Sequence, residues 1–131
     1  MLNLKQFIGK KQLQILRDCC KGEEGEYFIL KIKELQNTIA TMPTTHETDG
    51  QEFEAAAHLH YFNGSSDWYI TERDGFEEDQ LQAFGFACLN GDFEMAELGY
   101  ISIKELILYG AELDLHWNVK PISKIMEKIA R

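Results

Sequence analysis

The sequence predicts an α+β fold: an antiparallel sheet of four to five strands with helices packed on one face, preceded by an N-terminal helical hairpin. Three observations lead there. Apolar residues recur at helical spacing up to about residue 42, and the period changes to two after residue 55. The stretch AAAHLHYF, NGSS, DWYITERD places two β-rich runs around a four-residue turn. The chain has 131 residues, 44% of them hydrophobic. That is the length of one domain, able to bury roughly two-thirds of the surface its unfolded chain exposes. A single domain over 1–131 follows, made of a helical hairpin (1–42), a loop (43–54) and an α+β core (55–131).

The elements follow in order. Leu4, Phe7, Ile8, Ile15, Leu16 and Cys19 recur mostly at three- and four-residue steps, predicting an amphipathic helix to about Lys21. Gly22 to Gly25 punctuates, and Tyr27, Phe28, Leu30, Ile32, Leu35 and Ile39 predict a second helix ending before Pro43. Residues 41 to 54 show no period and read as a surface loop. In the first β-hairpin, pairing Phe62 with Asp67 sets Tyr61 against Trp68, His60 against Tyr69, Leu59 against Ile70 and His58 against Thr71. One face then carries Leu59, Tyr61, Trp68 and Ile70, the better core, with Trp68 largely buried. LQAFGFACL reads as the next strand, its Gly85 and Ala87 leaving room for something packed over that face. A strand around Leu98 to Ile101 leads into Ser102-Ile-Lys-Glu105, the spacing of a capping box, and a helix to about Tyr109 with Gly110 beyond it. Leu113 to Trp117 alternates as a last strand, and Ile122, Ile125, Met126 and Ile129 predict a closing helix.

Charge sharpens when it is located. The net charge is −9, yet residues 47 to 114 alone hold two Lys/Arg against sixteen Asp/Glu, a local −14. Such a field repels phosphate backbones and attracts cationic surfaces, so direct nucleic-acid binding there is not expected. The natural partner is a basic protein surface, such as that of a host nucleic-acid-binding protein. No apolar run approaches the length of a membrane span, and the first residues lack a secretion h-region, so the expected location is the cytoplasm. The three cysteines, two of them adjacent (Cys19, Cys20), form no disulfide framework and read as inert thiols.

Two sets of residues could carry chemistry. His58 and His60 stand two apart in a strand, which sends both imidazoles to one face and makes them the candidate metal pair. A third ligand would have to come from His46, Glu72, Asp92 or His116, none at a telling spacing. The bland alternative is that both line the solvent face of the hairpin. The acids Glu72, Asp74, Glu77, Glu78, Asp79, Asp92, Glu94 and Glu97 flank the ends of the central strands. They are the candidate interaction surface, read as one continuous negative stripe, with a general acid–base pair as the lesser reading. Glycine-rich phosphate loops, Gly-x-Ser-x-Gly and Cys-x-x-Cys are all absent from the sequence, and no cofactor is expected.

The pieces HYF and DWYITERD, QAFGFACLNGD, AELGYISIKELI, AELDLHW and KPIS, in that order, span about half the chain. Together the stretch from His58 to Ile122 resembles a family of small domains of unknown function carried by phages, plasmids and conjugative elements. Some of these sit inside large multi-domain phage proteins or near antirestriction genes. The resemblance implies a mobile-element setting and transfers no catalytic residue. Within its pattern Trp68, Gly85, Gly99 and Tyr100 suit structural roles, and Glu72 and Glu97 are the polar residues that could act. The resulting expectation is an acidic protein-interaction domain that modulates host defence. A metal-dependent module on His58 and His60, or an accessory domain, are the alternatives.

Overall fold

A computed structural model describes residues 3–76 and 78–129. It opens with a 3-10 turn, Leu4–Gln6, closed by a capping box in which Asn3 Oδ1 accepts from the Lys5 amide and Gln6 Oε1 from the Asn3 amide. Gly9 then caps α1 (Lys10–Cys19), so the one helix expected from Leu4 to Lys21 is two pieces with Phe7 and Ile8 buried at the break. α2 (Gly25–Thr41) returns beside it. A Cβ at position 25 would fall on the Cys20 carbonyl oxygen, which is why a glycine starts this helix. The expected hairpin is present.

Among the described residues seven strands and two further helices follow: β1 (Ala56–Ala57), β2 (Leu59–Asn63), β3 (Ser66–Glu72), β4 (Ala83–Cys88), β5 (Glu97–Ile101), α3 (Ile103–Leu108), β6 (Glu112–Leu113), β7 (Lys120–Pro121) and α4 (Ile122–Ile129). Five of the strands make an antiparallel sheet in the order β5-β4-β3-β2-β6, and β1 pairs with β7 in a small second sheet. The hairpin register is the one expected from Leu59/Ile70 through Phe62/Asp67. It fails at His58, whose amide donates to the Ile70 carbonyl at 2.8 Å instead of pairing with Thr71, where β3 carries a bulge toward β4. The last strand is shorter than Leu113 to Trp117, because the Asp114 carboxylate turns the chain by accepting from the His116 amide. Ser102 caps α3 through the Glu105 amide, and Gly110, at φ +92°, ends it as expected.

The core lies on both sides of this sheet. Leu59, Tyr61, Ile70, Ala83, Ile101 and Leu113 face Phe7, Leu13, Leu16, Ile39 and Ile103 from the N-terminal region and α3. Tyr61 is fully buried, its hydroxyl donating to the Phe7 carbonyl, and burial pushes its phenol far up from the ordinary value. The opposite face carries Tyr69 and Phe86 under Ile122 and Ile125 of α4. The α+β class stands, and α4 adds a layer that the expectation of one covered face left out. α4 is short but presents Ile122, Ile125 and Ile129 at helical spacing, enough to cover two rings. Among the described residues no helix is long and apolar enough to cross a membrane.

One local expectation changes. Gly85 does not make room for a neighbouring layer: a Cβ there would land on the Tyr69 carbonyl oxygen, so the glycine lets β3 approach β4. Trp68 is more covered than exposed, as expected, and packs against the core on the face that α1 to α3 cover.

Candidate functional site

The acids expected to form one stripe have three different fates. Glu72, at the end of β3, is 2% exposed. Its carboxylate accepts from the His46 amide and the Thr48 amide, both at 2.8 Å, and from the Thr48 hydroxyl. Asp74 is also buried, accepting from the Phe76 amide and the Gln82 amide at 2.9 Å each. Between them Arg73 turns inward, its Nε donating to the Ile39 carbonyl at 2.8 Å and its Nη1 to the Asp74 carbonyl. Gln80 completes the knot by accepting from the Asp74 amide. Burying ionised groups is costly unless each is hydrogen-bonded, and here each is. Glu72 and Asp74, expected on the interaction surface, are buried and tether the 43–54 loop and the 74–82 loop to the sheet. The stripe is cut in the middle.

Glu78 and Asp79 lie exposed at that end of the sheet, where Asp79 meets Lys104 at 3.3 Å and Lys5 lines the same shallow hollow. Glu77 lies outside the described residues. At the other end, around the β4–β5 connection, Asp92, Glu94 and Glu97 are exposed, as is Glu105 in the first turn of α3. Among the described residues no ion pair holds any of these four. The 46–54 loop adds Glu47, Asp49, Glu52 and Glu54, all exposed. The Thr44 hydroxyl and amide hold the Glu47 carboxyl below its ordinary value. The acidic segment thus has two cations, one turned inward and one spent on Asp79.

The histidines separate. His60 reaches Asp114 with Nδ1 at 2.9 Å and Asp67 with Nε2 at 2.8 Å. The ring stacks on Tyr69 with centroids 4.6 Å apart and planes 7° apart, and leans on Trp117 at 5.1 Å. Trp117 is held in turn by its Nε1 donating to the Ala57 carbonyl, with Lys120 Nζ 4.6 Å over its ring. His58 lines a small cleft with Lys31, Glu34 and Thr38 of α2 and with Asp114 and Trp117, and burial holds its imidazole below the ordinary value. Among the described residues no three of His, Cys, Asp and Glu converge on a metal position. His58 and His60, expected as a pair on one face, are directed differently: the irregularity at His58 brings one against α2, and the other has both nitrogens engaged by Asp67 and Asp114.

Half of the His60 arrangement was in reach of the sequence. The hairpin register puts Asp67 on the face of His60, one diagonal step away. Asp114 was out of reach, because β6 pairs with β2 across about fifty residues of chain.

The catalytic reading of the carboxylates loses its central members with Glu72 and Asp74 tied to amides. What remains is an acidic surface, strongest where no cation answers it. No family model, curated protein or solved structure matches this chain.

Proposed function

We propose that this protein is an acidic interaction domain that binds a basic protein surface, serving a mobile element in the cytoplasm as a modulator of host defence in the manner of antirestriction proteins. The observation that carries the reading is the withdrawal of both cations from the −14 segment: Arg73 points into the core and Lys104 is paired with Asp79. The exposed acids at 47–54 and 92–105 then act together. Clustered like charge costs stability by self-repulsion, and a cationic partner relieves it while the field steers the encounter. The resemblance over His58 to Ile122 supports the mobile-element setting.

The focus shifts from the notch at Glu78 and Asp79, where Lys5 and Lys104 stand, to the β4–β5 end. The test is capture of proteins from nuclease-treated host lysate at low and high salt, with the wild type and with an Asp92→Lys, Glu94→Lys, Glu97→Lys variant. Lysine- and arginine-rich proteins should be retained at low salt by the wild type and lost on charge reversal, by about tenfold. Equal retention by both would show that the acidity serves solubility alone.

A further inference from the structure

We infer that the outer edge of β5 is a strand-addition site for an extended segment of a basic protein, with alternate Lys/Arg and apolar side chains. This rests on the interaction reading above and names its geometry.

β5 ends the five-stranded sheet, paired with β4 on one side only. The direction of its backbone groups follows by counting across the sheet. The Ile70 carbonyl faces β2, where it accepts from His58, and the His60 carbonyl faces β6, where it accepts from the Asp114 amide. Alternation then aims the backbone of Tyr69 at β4, of Gly85 and Ala87 at β5, and of Glu97, Gly99 and Ile101 at β4. Leu98 and Tyr100 point their N–H and C=O outward. Among the described residues no hydrogen bond reaches those four groups. Unpaired edge groups of this kind are a template for another strand.

The surroundings say what that strand carries. On the face toward α3, Gly99 has open space where a Cβ would stand. Beside it Trp68, Ala87, Ile101, Leu106 and Tyr109 line a hollow of about 290 Å³, which suits an apolar side chain. Tyr100 is 60% exposed on the other face and Met95 75% exposed at the start of the strand. Around this apolar strip stand Glu94, Glu97 and Glu105, with no ion pair among the described residues. A strand laid along β5 puts alternate residues over the hollow and over Tyr100, and cations at its flanks meet these carboxylates. A second copy of this chain is disfavoured as occupant, because it would bring the same acids and a net charge of −9 to the same edge.

The test uses two defined probes: a peptide of about eight alternating lysines and valines, and one of equal charge with proline in place of each valine, which cannot donate to an edge. Each is titrated into isotope-labelled protein at low salt while amide shifts and hydrogen exchange are read. The lysine–valine peptide should shift residues 96–102, protect the Leu98 and Tyr100 amides, and bind at least about fivefold tighter than the proline peptide. Tyr100→Pro removes an outward N–H without touching a β4 bond, and should weaken binding about tenfold against Tyr100→Ala, which keeps it. Equal binding of both peptides, or shifts centred on 47–54, would overturn the edge and leave the acidic reading intact. No binding of either peptide would overturn both. A dimer of the free chain that Tyr100→Pro dissolves would overturn the basic partner in favour of a second copy.

Discussion

Replacing Glu72 tests whether a carboxylate inside an acidic segment can be structural. At 2% exposure it accepts three hydrogen bonds, two of them from Thr48, itself buried. Each buried donor stripped of its acceptor costs about 1–3 kcal/mol. Thr48 contributes two such donors, and the half-exposed His46 amide can turn to water, so Glu72→Ala is expected to cost about 3–5 kcal/mol. That is a large share of the roughly 5–15 kcal/mol that holds an ordinary domain folded. Glu72→Gln keeps the volume but turns an NH₂ donor toward an N–H donor, and should cost about half as much. The assay is urea unfolding followed by the fluorescence of Trp68 and Trp117, together with hydrogen exchange at the His46 and Thr48 amides. A loss below about 1 kcal/mol for the alanine variant, with exchange at 46 and 48 unchanged, would mean that other contacts hold the loop. The binding reading has a stake in the result, since the loop so held presents Glu47, Asp49, Glu52 and Glu54.

Other outcomes follow from the same geometry. His60→Ala removes two side-chain contacts with carboxylates and a ring stack from a partly exposed site, and is expected to cost about 2–3 kcal/mol in the same unfolding experiment. A double-mutant cycle with Asp114→Asn should show coupling of about 1 kcal/mol or more, and none would reduce the bond to packing. Trp68→Ala, at a half-buried ring, should cost about 2 kcal/mol, below the 3–5 typical of a fully buried one. Burial holds His58 below its ordinary value near 6.5, so the unfolded chain takes up that proton first. The stability involved is therefore fully present above that value and is lost as pH falls through it toward the lower folded value. His58→Gln should flatten the fall in stability between about pH 7 and pH 5, and an unchanged slope would refute the assignment.

The local grammar of this chain was legible because it depends on neighbours in sequence. The change of period near residue 55 announced helices then strands, and Ser102 with Glu105 and Gly110 marked both ends of α3 from spacing alone. The NGSS turn set the hairpin register, since a two-residue side-chain period leaves few ways to bury Leu59, Tyr61 and Ile70 together. Tertiary structure decided everything that required knowing which distant segment lies across a given face. Period-two alternation marks two faces but does not say whether a later helix covers the second, and α4 does, turning Tyr69 and Phe86 into core. Charge is likewise silent on burial: Glu72 and Glu97 look alike in the sequence, yet Thr48 meets one and the sheet edge leaves the other open. His60 owes its partner Asp114 to a strand pairing across about fifty residues, whose closure is settled by the whole sheet and by no local signal.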